Sequence, residues 1–267
     1  MTQEWREWSR EKLEHEYSPS QWAKRPYAEY ALLLEASSEV SRRSIGDQLV
    51  TEQYGPGSRN ILAWVEPASR NEIFVWIHGG YWQGSSIAEA LGGVEALVSQ
   101  GFGFAAIEYT LAPEITVAGI VDECEYALQW LQGQNPGSQI ILGGHSAGAH
   151  LALAVAARNQ VAGLVLVSGV FDLRPIAETS INDALGLTQT QAHDLSPILV
   201  NFPYPCPSEV LVGGEESPSF HEQARTAFEY LSKMGSESKL LSISGLDHFD
   251  IILSGEHLKS FLRLANR

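Results

Sequence analysis

Three short segments carry residues that could share one reaction. Residues 140–150 read Ile-Ile-Leu-Gly-Gly-His-Ser-Ala-Gly-Ala-His. A β-forming run ends in Gly144-His145-Ser146-Ala147-Gly148, and alanine-rich helical sequence follows. The pattern G-x-S-x-G between strand and helix is a sharp turn that lifts a serine hydroxyl above the sheet edge. That hydroxyl is unreactive near neutral pH without an imidazole in reach and a carboxylate to orient the imidazole. The run Gly245-Leu246-Asp247-His248-Phe249-Asp250 follows the last strand-like stretch and supplies His248. Gly213-Gly214-Glu215-Glu216-Ser217-Pro218 follows the strand before it. Glu216 fits an acid placed after a tight glycine turn, and Glu215 stays open as the alternative. Asp247 ranks below both, because adjacent loop residues seldom face each other. Ser146, Glu216 and His248 are therefore the candidate catalytic residues, and the chemistry is nucleophilic acyl transfer.

An oxyanion needs two backbone N–H groups aimed at one point. Ala147, directly after the serine, offers one. The loop Ile77-His78-Gly79-Gly80-Tyr81-Trp82 offers the other, with Gly80 and Tyr81 as donors and Gly79 as the tight-turn residue. His78 reads as a brace for this loop. His15, His145, His150, His193 and His221 read as structural, and His257 as a surface residue of the final helix.

Parallel strands and helices must hold these segments. Residues 4–43 have apolar and aromatic residues at helical spacing, and Ser18 or Ser20 with Pro19 could start a second helix. Strands are expected near 45–50, 60–65, 72–77 and 103–108, separated by turn sequence such as Tyr54-Gly55-Pro56-Gly57. Further strands are expected at 138–143, 163–168, 208–213 and 238–243, and helices at 87–100, 116–132, 147–158, 219–234 and 255–265. This order predicts an α/β fold: one mostly parallel eight-stranded sheet with helices on both faces and an N-terminal helical extension. The proline-bearing stretch 170–206 breaks the alternation and reads as a lid or pocket wall.

The 267 residues, 44% of them hydrophobic, fit a single domain, 1–267. A formal net charge of −15 argues against nucleic acid and anionic membrane surfaces as partners. Cys124 and Cys206 form no disulfide framework or metal-ligand spacing and read as buried thiols. The charged start Met1-Thr2-Gln3-Glu4-Trp5-Arg6-Glu7 has no apolar leader core, so a cytoplasmic protein is expected. A homodimer is compatible with the sequence.

The chain resembles the kynurenine formamidases (arylformamidases) of the α/β-hydrolase fold nearly end to end. The resemblance runs through Tyr17-Ser18-Pro19-Ser20-Gln21-Trp22, His78-Gly79-Gly80-Tyr81-Trp82-Gln83 and Glu108-Tyr109-Thr110-Leu111-Ala112-Pro113. It continues through the Ser146 elbow, Ser196-Pro197, Glu216-Ser217-Pro218 and Asp247-His248-Phe249-Asp250. Tyr81-Trp82 stands where esterases similar to hormone-sensitive lipase carry a third glycine. Glu216 stands where the family commonly has aspartate. The resemblance implies hydrolysis of an N-formyl aryl amide, N-formyl-L-kynurenine in the family, through a formyl-serine and without metal or organic cofactor. A carboxylesterase or thioesterase acting on small acyl esters with the same triad is the alternative, and a non-catalytic ligand-binding protein on this fold the remote one. Tyr81 and Trp82 are expected either to narrow a one-carbon acyl pocket or to pack as core and rim. Trp22 either closes the aryl side or docks on the sheet.

Overall fold

The computed structural model describes residues 4–267; residues 1–3 of the expected extension lie outside the described residues. One eight-stranded sheet organises them, in the order β1-β2-β4-β3-β5-β6-β7-β8. The strands are β1 Val50–Gln53, β2 Ile61–Val65, β3 Glu72–Ile77, β4 Gly103–Ile107, β5 Gln139–His145, β6 Gly163–Val167, β7 Ser208–Gly213 and β8 Ser238–Ile243. The pairs β1–β2 and β2–β4 are antiparallel and every other pair is parallel. Side chains alternate between two cores, as strand geometry requires. In β3, Ile73, Val75 and Ile77 join one core, while Phe74 and Trp76 join the other. Helices α4 Val117–Gln134, α5 Ala147–Ala156 and α8 Pro218–Lys233 cover the first face. Helices α3 Glu95–Val98, α9 Asp250–Leu253 and α10 Glu256–Ala265 cover the second.

Helix α5 sits close on the sheet because it carries no side chain where it crosses. A Cβ on Gly148 would lie 2.1 Å from the carbonyl oxygen of Ile77. That approach is open only to glycine, and it brings the start of α5 beside the end of β3.

Several boundaries differ from expectation. The first strand lies at 50–53, because the preceding helix runs on through Ile45. The second N-terminal helix, α2 Tyr27–Ile45, starts well after Ser18 and Ser20. Pro26 is its N-cap, and a residue before proline avoids helical backbone, so the helix cannot extend back through Arg25. Before it stand α1 Arg10–Glu16 and a short turn at Pro19–Gln21. The helix expected over 87–100 is two short pieces, Ile87–Glu89 and α3. Between them, Leu91 N–H donates to Ser38 Oγ (3.1 Å) and Gly93 N–H to Ser41 Oγ (2.9 Å), so α2 takes donors that a continuous helix would use. Residues 170–206 hold α6 Asn182–Leu185, α7 Gln189–Asp194 and short turns. His150 Nε2–H of α5 donates to the Leu195 carbonyl (2.8 Å), which fixes this excursion to α5. Cys124 and Cys206 are buried and unpaired.

His257 corrects the surface assignment. It is 3% exposed, its ring lies 4.7 Å from that of Trp76, and its Nδ1 has no partner among the described residues. Burial pushes its pKa down to about 3, and that of His150 down to about 4. A depressed folded-state pKa means that the unfolded chain binds the proton first. The stability involved is complete above the unfolded value near 6.5 and falls as pH drops toward the folded one, by about 1.4 kcal/mol per pH unit for each group. We expect the melting temperature of His257→Phe to fall less steeply than that of the wild type between pH 6.5 and 4.5. Parallel melting curves across that window would show that His257 takes up its proton in the folded state.

Candidate active site

Ser146 occupies the turn between β5 and α5 with φ 56° and ψ −119°. Positive φ in a residue with a Cβ costs energy that the surrounding contacts must hold. Ser146 N–H donates to the Val167 carbonyl (2.8 Å), pinning the turn to β6. As N-cap of α5 its hydroxyl makes no capping bond, which leaves it available to another partner.

His248 Nδ1–H donates to Glu216 Oε2 at 2.6 Å, with both side chains buried. The other carboxylate oxygen, Oε1, accepts from Ser168 Oγ (2.5 Å) and Gly213 N–H (2.7 Å). Three donors therefore offset the cost of burying this charge. Glu215 is exposed and makes none of these contacts. With Nδ1 bound to Glu216, Nε2 of His248 is the nitrogen left to face the cavity it shares with Ser146.

The loop carrying His248 is held from two sides. His145 Nε2–H donates to the His248 carbonyl (2.9 Å), and burial, the nearby His248 and His257 keep His145 neutral. Asp247 accepts Tyr30 Oη–H (2.6 Å) and the N–H groups of Lys24, Phe249 and Asp250 (2.9 Å each). Burial would raise the Asp247 pKa, but these donors outweigh it and hold the carboxyl below its usual value. Asp247 thus ties the N-terminal segment to the histidine loop.

The loop after β3 is braced from below. Tyr109 Oη–H lies within bonding reach of the carbonyls of His78 (3.1 Å) and Gly79 (3.0 Å), and the rings of His78 and Tyr109 stack at 4.2 Å. In a trans peptide the C=O and the following N–H point opposite ways. Anchoring the Gly79 carbonyl on Tyr109 and His78 therefore turns Gly80 N–H away from them. The Gly80 carbonyl accepts from Gln83 and Gly84 N–H (3.0 Å each), which turns Tyr81 N–H the other way. The N–H groups of Gly80, Tyr81 and Ala147 have no carbonyl acceptor among the described residues. Gly79 lies against the elbow: a Cβ there would be 3.1 Å from Ser146 Cβ.

These groups open on one cavity of about 320 Å³, lined by Gly79, Gly80, Tyr81, Ser146 and His248 among others. Tyr81 Oη–H donates to the Tyr17 carbonyl (2.6 Å), fixing its ring as a wall. Trp82 corrects its expected place beside substrate. Its φ of 61° turns the side chain inward, where it is fully buried, edge-on to His150 at 5.2 Å, and not part of the cavity wall. Trp22 is also absent from the wall; its ring lies tilted against that of His15 at 5.1 Å and its Nε1–H donates to that residue's carbonyl. No residue of 170–206 lines the cavity. Pro19, Ser20, Tyr27 and Leu34 of the N-terminal segment do so instead. Ser168, His145 and the Tyr30–Asp247 pair were not legible as site-building residues, because nothing local in their sequence marks those long-range partners.

A family model described as alpha/beta hydrolase fold matches residues 74–250. A kynurenine formamidase from Danio rerio is 30% identical over 93% of this chain and 92% of its own length. The chain belongs to the kynurenine formamidase family of α/β hydrolases. A kynurenine formamidase from Drosophila melanogaster is 29% identical over 75% of this chain and 74% of its own. Among solved structures, a candidate thioesterase from Silicibacter sp. TM1040 superposes with a TM-score of 0.81 at 26% identity, covering 96% of this chain and 99% of that one. A bacterial esterase of the hormone-sensitive lipase family shares the fold, with a TM-score of 0.67 at 21% identity over 91% and 97%.

Fluorophosphonate labelling of Ser146 reads this arrangement directly in the family member. His248→Ala is expected to slow labelling on the order of 10⁴-fold or more, and Glu216→Gln by less. Ser168→Ala should slow it about tenfold, through loss of a charge-assisted bond to Glu216. Glu215→Gln should label like the wild type; a larger loss there than in Glu216→Gln would reassign the acid.

Proposed function

We propose that this chain hydrolyses N-formyl aryl amides, with N-formyl-L-kynurenine going to L-kynurenine and formate. The observation that carries this reading is the near full-length likeness to kynurenine formamidases, on a chain whose Glu216–His248 pair shares a cavity with Ser146. Ser146 Oγ attacks the formyl carbon while His248 Nε2 accepts its proton. Glu216 holds the Nδ1–H side and stabilises the imidazolium. The developing oxyanion takes the N–H groups of Ala147 and of Gly80 or Tyr81, each donor contributing about 10²–10³ in rate. Collapse breaks the C–N bond, and His248 passes its proton to the departing aryl amine. Water then adds to the formyl-serine with His248 again as base, and formate leaves. No step calls on a metal or organic cofactor. The reading places the enzyme in the cytoplasm, supported by two unpaired cysteines; no described helix is long and apolar enough to cross a membrane.

A second reading, hydrolysis of a small acyl ester or thioester, draws on the candidate thioesterase that superposes over nearly the whole chain. It uses the same residues, so only substrate preference separates the two. A fixed Tyr81 wall favours a one-carbon acyl group, and an added methyl should cost about 10–200-fold. Steady-state kcat/KM for N-formyl, N-acetyl and ester derivatives on one aryl scaffold should rank N-formyl amide above N-acetyl amide by that margin. A short ester preferred over N-formylkynurenine by orders of magnitude would hand the assignment to the second reading.

A further inference from the structure

Among the described residues, the cavity wall contains one carboxylate and no lysine or arginine. The carboxylate belongs to Glu89, the last residue of the turn Ile87–Glu89. Tyr27 Oη–H donates to Glu89 Oε2 at 3.2 Å, and the nearby Ser85 hydroxyl also favours its charged form. No lysine or arginine figures among its electrostatic partners; His78 favours its charged form and Glu35, of like sign, opposes it. Burial pushes its carboxyl up, and Tyr27, Ser85 and His78 offset only part of that. His78 is turned to Glu108 (3.4 Å), so the Glu89 carboxylate has no cation bonded to it and gains from a full countercharge brought by a ligand. Tyr27 is 41% exposed and so marks the open end of the cavity, away from the deeply buried Ser146.

An N-formylkynurenine molecule has its formyl group at one end and an amino-acid arm at the other, with the α-amino group protonated near neutral pH. We infer that Glu89, beside the Tyr27 hydroxyl, binds the ammonium of that arm while the carboxylate is left toward the open mouth. The inference rests on the formamidase reading for its substrate, but it makes a broader statement about ligand class. The site selects an aryl group bearing a cationic amine, and it recognises the amine rather than the acid. A tether between α2 and the turn 87–89 is the other role open to Glu89. Glu89→Gln separates the two, because glutamine still accepts the Tyr27 hydroxyl and loses only the charge.

Titration calorimetry on the Ser146→Ala chain tests this without turnover. N-formyl-L-kynurenine should bind at least about tenfold more tightly than its deaminated analogue, whereas the decarboxylated amine should bind nearly as well as the parent. Adding Glu89→Gln should weaken the two amine-bearing ligands about tenfold or more and leave the deaminated one unchanged. Equal weakening of all three would make Glu89 a tether, and no weakening of any would remove it from the site; either overturns the inference, as would failure of the amine-bearing ligands to bind. Wild-type turnover of N-formylkynurenine, measured separately, decides the formamidase reading. A chain that binds aryl amines through Glu89 yet cleaves only esters would lose that reading and keep this one.

Discussion

The contact between Gly148 and the carbonyl of Ile77 fixes the spacing on which the site depends. Helix α5 can approach β3 and β5 this closely only where both lack bulk. The approach sets Ser146 in its strained turn directly beside the loop that leaves β3. That loop contains Gly79 and Gly80, so candidate nucleophile and oxyanion donors share one backbone contact. A side chain at that crossing would separate them together, and the distance between attacking oxygen and stabilising N–H groups would open by the same amount. The rest of the machinery is added to this frame: β6 contributes the Val167 carbonyl and leads into Ser168, and the turn after β7 brings Glu216 against His248.

The charges in the site are arranged by the same economy of contacts. Glu216 is buried but has three donors, and His145 stays neutral beside His248, so that one full negative charge stands behind one imidazole. Asp247 carries a second buried charge next in sequence to His248, yet its oxygens are taken by Tyr30 and by backbone N–H groups. Two adjacent residues thus face opposite ways, one toward chemistry and one toward the N-terminal segment.

Much of this was legible in the chain. The elbow, the Gly79-Gly80 loop and the Asp247-His248-Phe249-Asp250 run are local patterns whose geometry follows from glycine placement and strand ends, and parallel strands such as β5 to β7 announce themselves as apolar runs. What was not legible depends on partners distant in sequence. The break near Leu91 to Gly93 exists because serines of α2 take its backbone donors. Trp82 turns inward through a backbone angle that its identity does not disclose. His257 sits among Phe74 and Trp76, although its helical surroundings read as exposed. The wall of the cavity moved for the same reason: residues 170–206 have lid-like composition, but His150 and the apolar face of α5 hold them aside, and the N-terminal segment fills the place.

The bond from Tyr30 to Asp247 spans 217 positions of sequence. It means that the loop carrying His248 takes part of its bearing from a helix near the other end of the chain. Glu216 holds the imidazole and His145 the loop behind it, and the docking of α2 through Tyr30 adds a further restraint from outside the sheet. The candidate site is thereby coupled to the packing of the N-terminal segment, and loosening of α2 would be felt at His248.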